Sequence, residues 1–213
     1  MNSIFLSFEG GEACGKSTQI ELLAERLNRA GRKTLVLREP GGTPLGEKLR
    51  HILKFDNTIG RISPEAELLL MNASRAQLVT QVIRPALRTG VIVIADRFYD
   101  STTAYQGYGR QLPLAHVAAA INTAVGGTHP QITLLLHLNR TKTLARLKRR
   151  NAKRDLQTVD RFEQEKEAFF RRVEAGYLRI AENEPHRVKL IDADGTPAEV
   201  HTRICEQLMV LTH

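Results

Sequence analysis

At 213 residues the chain has the length of one sizeable domain and is too short for two full ones at about 100 to 200 residues each. Its 42% hydrophobic and 25% charged residues suit a globular core and surface, which excludes disorder, collagen and coiled coil, and a net charge of +8 leaves a polyanionic partner open. Apolar runs such as Val91 to Ala95 fall far short of the roughly 18 residues of a membrane span, no basic segment precedes a signal-like core, and Cys14 and Cys205 are too few for a disulfide framework. The expectation is an untargeted cytoplasmic protein with no membrane partner.

In chain order, Ile4 to Phe8 predicts a first strand, and Lys16 to Ala30 a helix with Ile20, Leu23, Ala24 and Leu27 on one face before Gly31. Thr34 to Leu37 predicts a second strand, and Ser63-Pro64 starts a long helix to Leu87 with Pro85 bending its end. Val91 to Ala95, Ile132 to Leu138 and Val188 to Ile191 predict three more strands, rich in the β-branched residues of buried strands. Short apolar runs alternating with helical segments predict an α/β, three-layer fold: a five-stranded, mainly parallel sheet with helices on both faces, in one domain over 1–213. The polar stretch from Arg149 to Asp160 interrupts the helical pattern and predicts a mobile lid.

Gly10-Gly11-Glu12-Ala13-Cys14-Gly15-Lys16-Ser17 fits GxxxxGK[ST] between the first predicted strand and helix, the context this phosphate loop requires. Glycines permit the unusual dihedrals and the close approach of phosphate oxygens, and the helix adds free amides and the positive end of its dipole. Residues Gly10, Gly11, Glu12, Ala13, Cys14, Gly15, Lys16, Ser17 and Thr18 are therefore expected to cradle ATP. Lys16 reaches the β and γ phosphates, and the Ser17 hydroxyl is a ligand for Mg2+. Asp96-Arg97 ends the third predicted strand, where open α/β sheets bind ligands; Asp96 is a second metal candidate and Arg97 a clamp for phosphoryl oxygens. The loop alone defines a ligand class and no reaction.

Phe8-Glu9-Gly10 through Lys16-Ser17-Thr18, Arg38-Glu39-Pro40-Gly41-Gly42-Thr43, Ser74-Arg75-Ala76-Gln77, Asp96-Arg97-Phe98 with Ser101 and Ala104-Tyr105-Gln106-Gly107, and Asp160-Arg161-Phe162-Glu163 together resemble the thymidylate kinases. The resemblance covers nearly the whole chain and implies a P-loop nucleoside monophosphate kinase, a homodimer, that moves the γ-phosphoryl of ATP to dTMP. It implies that Glu12 faces the 3′-hydroxyl of dTMP rather than ATP, and that Arg38 and Arg97 clamp the acceptor phosphate. Arg75 would donate to thymine O4, Ser101 and Thr102 would lie at the base edge, and Tyr105 would crowd a 2′-hydroxyl with Gln106 beside it. Where the family usually stacks an aromatic ring on thymine this chain has Met71, one helical turn from Arg75, whose thioether can still contact the base.

Nine basic residues between Arg140 and Arg161 face only Asp155 and Asp160, so nearly all the excess charge lies there. That stretch has no Phe, Tyr or Trp to stack bases, so a triphosphate lid explains it better than nucleic acid does. The family's lid pattern Arg-x-Arg-x-Arg is here Arg149, Asn151 and Lys153, followed by Arg154, and one branch's loop arginine is Ala13. The cations expected at the transferred group are thus Lys16, Arg97, Arg149, Lys153 and Arg154. Closure would also exclude water. Replacing Arg149, Lys153 and Arg154 together with alanine should lower kcat by about 10^3- to 10^5-fold in a coupled ADP-release assay; kcat within a few-fold of wild type would remove the lid assignment.

Overall fold

The computed structural model describes residues 3–56, 58–151 and 160–209. The five apolar runs become β1 (Phe5–Gly10), β2 (Thr34–Arg38), β3 (Ile92–Asp96), β4 (Ile132–His137) and β5 (Val188–Asp192). They form one sheet in the order β2-β3-β1-β4-β5, and every pairing is parallel. The helices are α1 (Lys16–Arg29), α2 (Pro44–Lys54), α3 (Pro64–Leu78), α4 (Arg84–Arg88), α5 (Tyr99–Thr102), α6 (Leu114–Val125), α7 (Arg140–Asn151), α8 (Glu167–Asn183) and α9 (Pro197–Met209). The predicted lid falls largely on 152–159, outside the described residues.

Strand alternation divides the apolar residues between two faces. Leu6, Phe8, Ile92, Ile94, Leu134 and Leu136 pack against Ile20 and Leu23 of α1 and Val200 and Ile204 of α9. Phe5, Val93 and Ala95 face the opposite way, onto Leu68 and Leu78 of α3 and Val117 and Ile121 of α6. Leu135 and Val188 continue that second face toward Phe169, Val173, Tyr177 and Ile180 of α8. Ser7 and Glu9 share the parity of Phe5, so both point into the second face although they are polar. Ser7 Oγ lies 2.7 Å from Thr133 Oγ1, and Thr133 donates to Asp100, which Arg187 also pairs, so this buried polar group has partners throughout.

The helix predicted from Ser63 to Leu87 is not one regular helix. After α3, residues Val79–Ile83 form a π turn in which the Arg84 N–H bonds the Val79 carbonyl, five residues back, before α4 begins. Pro85 explains this, because it has no N–H and its ring clashes with the carbonyl four residues back; a wider turn relieves both. A second π segment, Thr103–Gly109, continues α5 and carries Tyr105 and Gln106, which sequence periodicity does not reveal.

This π segment packs closely on α8. A β-carbon at Gly176 would lie 2.7 Å from the Tyr108 ring and 2.8 Å from Tyr108 Cβ, so the spacing of backbones and not a movable side-chain end is at stake. Gly176→Ala should destabilise the protein by about 1–3 kcal/mol, in spite of alanine's roughly 1 kcal/mol helix preference. Differential scanning calorimetry should record this as a fall in Tm of about 2–12 °C.

Candidate active site

The carboxyl ends of β1, β2 and β3 lie level, with Phe8 and Arg38 both in register with Asp96, so their following loops converge at one edge. The chain leaves β1 at Gly10, φ +131°, where any β-carbon would stand 2.2 Å from the Leu136 carbonyl oxygen; only glycine lets the loop cross β4. Ala13 (φ +55°) and Gly15 (φ +96°) complete the turn into α1. No side chain caps α1, so its first amides have no internal side-chain acceptor. Lys16 is buried and donates to the carbonyls of Gly11 (2.7 Å) and Gly10 (3.2 Å), while Cys14 Sγ donates to Gly11 O at 3.1 Å.

Around this loop opens a cleft of about 330 Å³, lined by Glu12 through Thr18, Arg38, Asp96, Arg97 and Arg150 among others. Ser17 and Thr18 are exposed. Arg38 stands on the rim, 55% exposed and paired with Glu47 at 2.9 Å. Among the described residues no three His, Cys, Asp or Glu side chains assemble as a metal cage. Ser17 and Asp96 in one cleft can offer one or two oxygens, the number Mg2+ takes from protein when phosphates and water supply the rest.

A second pocket is lined by Met71, Arg75, Phe98, Ser101, Thr102, Tyr105 and Gln106. Arg75 is buried and pairs with Glu39 (2.7 Å), Asn72 (2.9 Å) and the Phe98 carbonyl (3.3 Å), which leaves one Nη1 hydrogen for a ligand carbonyl. Gln106 Nε2 donates to Glu67, leaving its carbonyl oxygen for a donor. Met71 is half-buried, packed against the α8 cluster and on the pocket wall at once. The Ser101 hydroxyl is committed: it donates to Glu9 Oε2 (2.6 Å) and accepts from Arg97 (3.2 Å).

Arg97 takes a left-handed backbone, φ +70°, and its guanidinium reaches the Gly10 carbonyl, Ser101, the Tyr177 hydroxyl and Glu12, lying 5.3 Å over the Tyr105 ring. Burial works against an ionised Glu12, but Arg97, Lys16 and Lys54 outweigh it and hold its carboxyl well below the usual range. Burial, followed by the charge of Asp100, pushes Glu9 up to about 7 despite Arg97 and donors from Ser101 and Phe98. Burial raises Glu39 too, against the pull of Arg75.

A family model described as thymidylate kinase matches residues 8–204. The chain belongs to the thymidylate kinase family. A thymidylate kinase of Syntrophotalea carbinolica is 48% identical over 202 residues, 95% of this chain and 93% of that one. One of Chlorobium luteolum is 45% identical over 211 residues, with 96% of each covered. The crystal structure of thymidylate kinase from Ehrlichia chaffeensis superposes with a TM-score of 0.76 at 30% identity, over 98% of this chain and 99% of that one. As a thymidylate kinase family member the chain is a nucleoside monophosphate kinase that phosphorylates dTMP with ATP as donor.

The structure gathers the phosphate loop, Arg38, Asp96 and Arg97 at one cleft, and Met71, Arg75, Ser101, Thr102, Tyr105 and Gln106 at its neighbour. Lys153 and Arg154 lie outside the described residues, and Arg149 is exposed on α7, away from the lining of either cleft. The adjacent Arg150 occupies the cleft instead, bonded to Glu12 at 3.2 Å and Glu163 at 2.9 Å. Helical phase separates such neighbours by about 100°, and a polar α7 gives periodicity nothing to orient by. Sequence reading assigned no role to Glu9, Glu39, Lys54, Arg150 or Tyr177. Glu9 and Glu39 did carry a signal, being acids beside or within a strand run.

Because Glu9's folded-state pKa is raised, the native state holds a proton that the unfolded chain has already released. Its contribution to stability is full below about 4.5 and declines as pH rises to about 7. Relative to wild type, Glu9→Gln should therefore gain stability as pH climbs through this window, read as the difference in urea midpoint between pH 4.5 and 7.5. A constant difference would contradict a raised Glu9.

Proposed function

We propose that dTMP is phosphorylated where the two clefts meet, with ATP held by the residues from Gly10 to Thr18 and the acceptor by the pocket of Arg75 and Tyr105. The observation that carries this reading is that the clefts share Glu12, Glu39, Lys54 and Arg97, so ligands in both would touch end to end. Phosphoryl transfer needs alignment and neutralisation of charge more than covalent help from the protein. The loop amides hold the polyphosphate, and Lys16 exchanges two backbone carbonyls for phosphate oxygens. Arg97 exchanges Glu12 for the acceptor phosphate, as Arg38 does with Glu47. Glu12, ionised and freed of one partner, accepts from the 3′-hydroxyl of the acceptor sugar.

The Ser17 hydroxyl and the Asp96 carboxylate fit a Mg2+ ion, which would neutralise charge on the β and γ phosphates. On the base, the remaining Arg75 hydrogen meets O4 and the Gln106 oxygen meets N3–H, while Thr102 and Met71 bound the ring and Ser101 supports Arg97. Tyr105, fixed among Phe162, Phe169 and Tyr177, occupies the space of a 2′-hydroxyl. The lid over 149–160 supplies further cations; Arg149, Lys153 and Arg154 stay in this reading, joined by Arg150. A single domain, a homodimer and a cytoplasmic location complete it, and Leu69 on α3, 63% exposed, offers apolar surface to a second copy.

Arginine is donor only, so the amino group at position 4 of cytosine leaves a buried donor unpaired, whereas uracil differs from thymine by one methyl. With dTMP, dUMP, dCMP, dGMP and AMP offered separately, kcat/KM should fall about 10- to 200-fold for dUMP and on the order of 10^4-fold for dCMP. Efficient turnover of dCMP would remove the Arg75 assignment, and turnover of AMP in preference to dTMP would remove the acceptor pocket.

A further inference from the structure

Four side chains line both clefts, and they are two acids, Glu12 and Glu39, and two cations, Arg97 and Lys54. The 5′-phosphate of an acceptor has to lie at this junction, since its oxygen attacks the γ-phosphorus of a donor in the neighbouring cleft. A dianion placed beside an ionised Glu12 needs more than one positive charge. Arg97 already directs both terminal nitrogens to protein acceptors: Nη1 to Gly10 O, Ser101 Oγ and Tyr177 Oη, and Nη2 to Glu12 Oε1.

Lys54 is differently placed. It is the last residue of α2, whose Leu49 and Leu53 are buried and anchor the helix end. Its side chain is only 15% exposed, and Nζ donates to Asp160 Oδ2 at 2.6 Å. That is its one hydrogen bond among the described residues, and an ammonium has three hydrogens, so two remain for a ligand. Asp160 is itself fixed, its other oxygen accepting from the Phe162 N–H at 2.9 Å. We propose that Lys54 is a third binding cation for the acceptor, beside Arg97 and Arg38, contacting the 5′-phosphate of dTMP directly while Asp160 holds the ammonium in the junction. The proposal rests on the acceptor pocket assigned above. Burial disfavours the Lys54 ammonium more than Asp160 favours it, and an arriving dianion supplies the compensating charge.

The competing role is a strut that only ties α2 to the turn at 161–164. Thymidine, which has the base and sugar of dTMP and no phosphate, separates the two. Calorimetric titration of the full chain with dTMP and with thymidine should show Lys54→Met weakening dTMP by about 10- to 100-fold while thymidine stays within about twofold. Lys54→Gln keeps a donor for Asp160 without the charge and should weaken dTMP alone in the same way; it also serves if the methionine variant fails to fold. Equal losses for both ligands in Lys54→Gln would make Lys54 a strut, and no loss for either would make it idle; both overturn the proposal. Wild-type protein binding neither ligand would remove the acceptor pocket itself, which is a distinct result.

Discussion

The guanidinium of Arg97 is the contact on which the site's geometry depends. It joins three parts of the chain: the phosphate loop through Gly10 and Glu12, α5 through Ser101, and α8 through Tyr177. To do this the residue holds a left-handed conformation, a strain of about 1–3 kcal/mol for a side chain other than glycine. Glu9 sustains it from below, accepting from the Phe98 and Ser101 amides, the Ser101 hydroxyl and the Tyr177 hydroxyl. A buried carboxyl group bonded by four donors, two on each oxygen, is a stiff support, because removing it would take the acceptor from all four.

Around that support each cation rests on an acceptor of the protein itself. Lys16 lies on loop carbonyls, Arg38 on Glu47, Arg150 between Glu12 and Glu163, and Lys54 on Asp160. On the function proposed above, substrate phosphates would meet cations that are already oriented, Lys16 and Lys54 being largely desolvated as well, and binding would exchange one set of acceptors for another. This is electrostatic preorganisation, in which the fold has already met the cost of assembling like charges. Glu12 is central to the exchange, since two of the cations converge on its two oxygens.

The strands were legible because buried parallel strands are short apolar runs, and the observed bounds differ from the expected ones by at most two residues at either end. The phosphate loop was legible because its chemistry is local: glycine dihedrals, a helix start and a lysine at fixed offsets. Residues named through the family resemblance, such as Arg75 and Tyr105, line one pocket although no periodicity pointed to them. Ser101 shows the limit of position alone; it lines the pocket of Arg75 and Tyr105, but its hydroxyl belongs to the Arg97 support. Pro85 marked a break in the long helix, but the π form of that break at 79–83 and the second π segment at 103–109 were illegible, since they leave no distinct hydrophobic period.

What the amino-acid order determined by itself was whatever depends on neighbours in the chain: fold class, strand positions, the anion-binding loop and the excess of charge between Arg140 and Arg161. Tertiary structure alone decided which cations meet. Lys54 lies 106 residues from Asp160, and Arg150 lies 138 from Glu12, yet each pair is in hydrogen-bond contact. Nothing in the local sequence of α2 or α7 distinguishes Lys54 from Lys48 or Arg150 from Arg149; helical phase and the parallel sheet's common carboxyl edge do. The physical reason is that Coulomb attraction and burial depend on distance in space, and that distance exists only once the sheet has brought its loops to one side.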